Sequence, residues 1–126
     1  MDNAPDRWIV MAQAQARVTR LIAAGAPLAD SLGALMQFIE ELAPGRRASA
    51  LLLDADGQHL RHGAAPSLPA AYTQAIDGAA IGPAAGSCGT AAWRREPVVV
   101  EDLASDPLWA DYRHLALPHG LRACWS

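Results

Sequence analysis

The apolar run Ala48–Asp54 (ASALLLD) is followed almost at once by the dipeptide Asp56-Gly57. That pair constrains the chain more than any other local feature. Glycine takes a positive φ at little cost, so Asp-Gly after an apolar run reverses the chain and predicts a β-hairpin. The return strand is expected over Gln58–His62, where His59, Arg61 and Gly63 alternate with Leu60 and His62. Such a strand suits a half-exposed or edge position. What precedes the hairpin is helical in pattern. Met11, Ala14, Val18 and Leu21 recur at three- and four-residue spacing within residues 7–24, with Ile22 widening the stripe. Gly25 is placed to end that helix. Pro27 and Asp30 suit the opening turn of a second one, whose stripe is Leu28, Leu32, Leu35, Met36, Ile39 and Leu42, ended by Pro44-Gly45.

The second half is built from shorter pieces. Residues 66–77 pattern as a short helix with Leu68, Ala71, Tyr72, Ala75 and Ile76 on one face. The stretch AAIGPAAGSCGT (79–90) is rich in Gly and Ala, and Ser87 is placed to cap a helix running through Trp93. Glu96-Pro97 halts it, and PVVVE (97–101) is a β-branched strand. Asp102 and Asp106-Pro107 mark turns. A helix is expected over Trp109–Leu117, stopped by Pro118, and a strand over Leu121–Trp125. In that strand Leu121, Ala123 and Trp125 face one way, and Arg122, Cys124 and Ser126 the other. The order α-α-β-β-α-α-β-α-β predicts an α+β sandwich rather than a doubly wound sheet.

Composition narrows the function classes. A length of 126 residues fits one domain, 1–126. Apolar residues make up 52%, yet Ala fills 28 positions, and Ala buries little area. A net charge of -3 argues against a nucleic-acid partner. All ten basic residues are Arg, which excludes a Schiff-base or phosphate-loop lysine. No apolar run approaches the ~20 residues that a membrane helix needs. The opening MDNAPDRW lacks the basic n-region of a secretory signal, so a cytoplasmic location is expected. Two cysteines do not make a disulfide framework.

Several residues carry candidate chemistry. Cys88 lies near a predicted helix N-terminus, where a thiolate is stabilised and its pKa falls. If the Cys124 face of the last strand lines a pocket, the two thiols become neighbours and form a redox or metal site; the alternative is plain packing as small hydrophobes. Their spacing is not that of structural zinc. Residues 82–90 read either as a phosphate cradle or as a tight connection, and they match neither phosphate-loop nor dinucleotide motifs. Trp93, Trp109, Tyr112 and Trp125 hold four of the seven aromatics. They read as core or as the wall of an apolar pocket, with Arg113, Arg122 and Ser126 as polar contacts. His59 and His62 are expected on opposite strand faces, and His114 lacks a carboxylate to orient it. Asp102, Asp106 and Asp111 are better explained by capping and turns than by a metal. No nucleophile–base arrangement is legible, so no catalytic and no metal residues are assigned.

The series IGPAAGSCGTAAWRREPVVVED, DPLWADYR and GLRACWS resembles the GAF domains of bacterial sensor histidine kinases and cyclic-di-GMP signalling proteins. The resemblance covers roughly residues 18–126. It implies a central antiparallel sheet with helices on both sides and a ligand-sized pocket. Cys88, Trp93, Trp109, Tyr112, Arg113, Arg122 and Cys124 are the expected ligand-binding set, for an unknown small molecule with no cofactor named. It further implies a regulatory module without catalysis, a homodimer through the N-terminal helices with Met11, Ala14, Val18 and Leu21 as the seam, and an output kinase or cyclic-di-GMP domain. The family continues past this point into further strands and a helix. The resemblance therefore implies that these are missing or supplied by a second chain, leaving Leu121–Trp125 with an unpaired edge. A thiol enzyme resembling the free methionine sulfoxide reductases is the alternative: Cys88 matches their G-x-C-G-T-A stretch, but residues 102–120 lack their catalytic thiol. A dimerisation module with an empty pocket is the third reading.

Overall fold

A computed structural model describes residues 4–126. The chain forms two compact units, one running up to Ala50 and including Gly63–Leu68, the other made of Leu51–His62 and Pro69–Ser126.

In the first unit helix α1 (Ala4–Ala23) packs on helix α2 (Leu28–Leu42). Met11, Ala14, Val18 and Leu21 are half-buried, whereas Trp8, Ile9 and Ile22 are exposed. The sequence stripe is thus the covered face of α1, and its partner within this unit is α2. The helix ends as Gly25 predicts. Gly25 has φ +71°, its N–H reaches the Ile22 carbonyl at 3.1 Å, and the Ala26 N–H reaches Leu21 at 3.0 Å. This is a Schellman closure, which satisfies carbonyls the helix would leave orphaned. Helix α2 buries Ser31, Ala34 and Met36 and leaves Leu28 and Ile39 exposed. The Glu40 carboxylate accepts from the Ala48 N–H at 3.0 Å and from the Ser67 hydroxyl, holding the chain beyond α2 in place.

The hairpin forms between β1 (Ala50–Leu53) and β2 (Leu60–Ala64). Its turn is wider than a two-residue loop. Asp54 N–H bonds the His59 carbonyl at 2.7 Å, and Gly57 sits at φ +70°. The Asp56 carboxylate accepts from the Gln58 and His59 amides at 2.8 and 3.2 Å, an Asx turn that the Asp supplies and Gly57 permits. The strand is half-exposed as expected, with Leu60 and Ala64 buried and Arg61 and His62 exposed. Residues 78–81 run beside residues 58–60 where β2 begins: Gly78 N–H bonds Leu60 O at 2.7 Å, Leu60 N–H bonds Ala79 O at 2.9 Å, Ile81 N–H bonds Gln58 O at 2.9 Å, and His59 and Ala80 form an isolated bridge.

The second unit continues through α3 (Ala70–Ile76), α4 (Gly86–Arg94), β3 (Val99–Val100), α5 (Arg113–Ala116) and β4 (Cys124–Trp125). β3 and β4 pair antiparallel, Val99 with Trp125 and Val100 with Cys124. Reciprocal bonds between Val98 and Ser126 at 2.6 and 2.8 Å extend the ladder. Its core contains Leu60, Tyr72, Val98, Val100, Leu103, Trp109 and Ala116. The α+β class holds, but the sheet is two pairs of strands rather than one central sheet. β4 has a strand on one side only among the described residues. The single helix expected over Trp109–Leu117 is also corrected. Asp106 caps a 3-10 turn at Pro107–Trp109 through the Leu108 N–H at 2.9 Å, and the Trp109 carbonyl bonds Tyr112 N–H, three residues on, at 3.0 Å. That tighter pattern breaks the α-helical ladder before α5 starts.

Candidate functional site

Helix α4 begins at Gly86, whose φ of +68° would strain any other residue, and a Cβ there would lie 3.6 Å from the Trp109 ring. One turn on, a Cβ on Gly89 would fall 2.7 Å from the Ala85 Cβ. Gly86 therefore serves the backbone turn and Gly89 close packing, and this favours the tight-connection reading of residues 82–90. Ser87 is not the helix cap, which is Ala85. It sits in the first turn, fully buried, and its hydroxyl accepts from the Trp109 indole N–H at 3.0 Å and donates to the Cys124 carbonyl at 3.2 Å.

The next residue, Cys88, points to β4. Alternation along β4 turns Cys124 and Ser126 to one side and leaves Trp125 exposed on the other. The Ser126 hydroxyl lies 3.0 Å from Cys88 Sγ and 3.8 Å from Cys124 Sγ, which brings the two thiols to one hydroxyl and close enough to shift each other's titration. The pair behaves as one acid holding one labile proton. Cys124 is lowered to about 6 because Cys88 donates to it, with support from the Ser87 and Ser126 side chains against the cost of burial. Cys88 is raised, first because its S–H donates a hydrogen bond to the Cys124 thiolate and so holds its proton, and then by burial. The direction expected for Cys88 from its helix terminus is reversed, with the neighbouring Cys124 and burial as the causes. Tyr72 on α3, buried, has its phenol raised first by desolvation and then by the negative charge of the thiol pair. Its ring also meets His119, centroids 5.9 Å apart.

The remaining expected site residues go elsewhere. Arg113 fastens the preceding loop, donating to the carbonyls of Ala104 (2.7 Å), Asp106 (2.9 Å) and Trp109 (3.4 Å). Arg122 reaches the Leu121 and Leu117 carbonyls at 3.2 and 3.5 Å from an exposed position. Trp93 is exposed, Tyr112 half-buried, and Trp109 buried in the core. So Cys88, Cys124 and Trp109 gather around Ser87, joined by Ser126. Tyr72 is the member that sequence reasoning assigned only to a helix face. Its signal was weak, because an aromatic on an apolar helix stripe reads as packing. Two grooves lie in the first unit on other residues. One, about 450 Å³, is lined by Gln13, Arg17, Arg20, Gln37 and Glu41 among others; a smaller apolar one, about 270 Å³, includes Val18, Ile22, Leu28 and Leu32. Among the described residues no cluster of three or more His, Cys, Asp or Glu could hold a metal ion, and no helix is long and apolar enough to cross a membrane.

A family model of the GAF domain matches residues 27–126. The chain belongs to the GAF domain family. Among curated proteins it is similar to the methyl sulfide methyltransferase-associated sensor of Methanosarcina acetivorans, 38% identical over 112 residues. That match covers 89% of this chain and 11% of the relative, so the GAF chain spans about a ninth of that protein's length. No solved structure matches it.

Proposed function

We propose that this GAF domain is a sensory and regulatory module of signal transduction that binds a small molecule and catalyses no reaction of its own. The observation that carries the reading is the GAF match over residues 27–126, and the similarity to a protein named as a sensor supports it. The ligand face would be centred on Cys88, Cys124 and Trp109, with Tyr72 and Ser126 beside them. The ligand would act by favouring one of two helix arrangements, since only a difference in affinity between two states can shift their populations. The output, a kinase or a cyclic-di-GMP enzyme, would be carried by another part of a longer protein. The protein would work in the cytoplasm and pair with a second copy through α1, whose exposed Trp8 and Ile22 offer apolar area outside the face covered by α2. Mass spectrometry and absorption spectroscopy of the purified protein test the ligand reading. A bound small molecule that is lost when Trp109 or Cys88 is substituted supports it, and a protein that carries and binds nothing overturns it. Sedimentation tests the pairing, and a strict monomer at high concentration removes it.

The adjacency of Cys88 and Cys124 favours one second reading, a thiol-dependent reductase of free methionine sulfoxide. Turnover of that substrate with a dithiol reductant supports it; no turnover removes it.

A further inference from the structure

Two elements distant in sequence deliver one sulfur each to the same hydroxyl. Cys88 comes from the first turn of α4 and Cys124 from β4, and Ser126 Oγ stands 3.0 and 3.8 Å from the two sulfurs. Cysteines used only as small hydrophobes need no such company. Here two hydroxyls flank the pair: Ser87 is fully buried against the Cys124 carbonyl, and Ser126 touches both sulfurs. Both cysteines are only partly buried and both are free thiols. This is the arrangement of an attacking thiolate beside a resolving thiol.

We infer that Cys88 and Cys124 form a redox site that takes a hydroperoxide and closes reversibly to an intramolecular disulfide joining α4 to β4. Cys124 attacks as the thiolate, the form that reacts. Its sulfur bonds the nearer peroxide oxygen, the O–O bond breaks, and the leaving hydroxide (or alkoxide) takes a proton from water. Cys124 is then a sulfenic acid, oxidised by two electrons. The Cys88 thiol attacks that sulfur, the S–S bond forms, the S–O bond breaks, and the departing hydroxide leaves as water with the Cys88 proton. With hydrogen peroxide the balance is two thiols and one peroxide giving one disulfide and two waters. An external dithiol reverses it by two exchanges and is itself oxidised to a disulfide. The site goes beyond the ligand reading above. It is read on the thiols, whereas the ligand reading is tested by what the protein carries and binds, so each can fail alone.

The test is hydrogen peroxide on the folded chain, followed by alkylation and peptide mapping by mass spectrometry. The expected result is loss of both alkylatable thiols and a cross-linked peptide pair containing Cys88 and Cys124 within one chain, both reversed by dithiothreitol. In Cys88→Ser, oxidation stops at a sulfenic acid on Cys124 that dimedone traps. The wild-type peptide map decides the matter if that variant fails to fold. Thiols that stay alkylatable at a peroxide dose consuming free glutathione overturn the proposal. So do cross-links only between chains, or sulfinic acid on Cys124 with Cys88 left free.

Discussion

The Trp109 indole donates to the Ser87 hydroxyl at 3.0 Å, and that hydroxyl donates onward to the Cys124 carbonyl at 3.2 Å, so one small side chain joins a buried ring to a strand. Ser87→Ala leaves the buried indole N–H without an acceptor. A buried group deprived of its partner costs about 1–3 kcal/mol. Removing the donor as well, in Trp109→Phe, takes away the need for the acceptor. In denaturant unfolding the double variant is therefore expected to lose less stability than the sum of the two single ones. Strict additivity would show that the Ser87–Trp109 bond carries no coupling.

This relationship marks where the sequence stopped being legible. The start of the GSCGT helix could be read, but Ser87 fits a cap equally well by type. Only the backbone shows that Ala85 holds the cap and Ser87 the interior of the first turn. The Cys124 face followed from strand alternation alone, because a period of two is fixed once a strand exists. Where Cys88 would point was conditional on how α4 meets β4, a long-range relation that no local pattern contains. Local chemistry did fix the Gly25 closure and the Asp56-Gly57 reversal, since both depend on a positive φ or a short carboxylate. It failed for Trp109–Leu117, where apolar spacing suits an α-helix but Asp106, Pro107 and the Arg113 guanidinium draw backbone groups into tighter turns. Arg113 and Arg122 resembled ligand contacts by charge, yet their partners are backbone carbonyls of neighbouring segments.

The thiol pair should titrate in two widely separated steps. Alkylation of the folded protein against pH is expected to show one thiol with a midpoint of about 6, lost in Cys124→Ser. In Cys88→Ala the Cys124 midpoint should climb toward the ordinary cysteine value of about 8.5, because its main donor is gone. The stability consequence has two signs. Cys124, depressed in the folded state, contributes stability that is present above the unfolded pKa and lost as pH falls toward about 6. Cys88, raised in the folded state, contributes stability present below the unfolded pKa and lost as pH rises beyond it. Together they place the maximum of the pair's contribution near the unfolded cysteine pKa, about 8.5. Denaturant midpoints across this range, wild type against the double serine variant, check the shape. A difference that does not vary with pH would remove it.

Three glycines separate packing from conformational cost. A Cβ on Gly63 would lie 2.7 Å from the Ala50 carbonyl oxygen, and one on Gly89 2.7 Å from the Ala85 Cβ. Neither neighbour is a flexible side-chain end, so Gly63→Ala and Gly89→Ala should each cost about 1–3 kcal/mol by overpacking. Gly33, inside α2, has nothing within 4 Å of its Cβ position. There Gly33→Ala should stabilise by about 0.5–1 kcal/mol, because alanine loses less backbone entropy in a helix. Thermal unfolding reads all three. A stabilising Gly89→Ala would contradict the close approach of α4 to the chain before it.

Arg113 separates a structural from a ligand role. Its guanidinium forks between the Ala104 and Asp106 carbonyls while Nε reaches Trp109. Lysine keeps the charge but cannot reproduce a planar fork. Arg113→Lys is therefore expected to loosen residues 104–109, seen as faster amide hydrogen exchange there, at a stability cost of about 1.5–3 kcal/mol, the range of hydrogen bonds to charged groups. If Arg113 instead served a ligand, the charge-conserving variant would leave exchange in that loop unchanged and weaken only ligand binding. Exchange across 104–109 and across β3 decides between them, since the Arg113 bonds go to Ala104, Asp106 and Trp109 and β3 should stay protected in both cases.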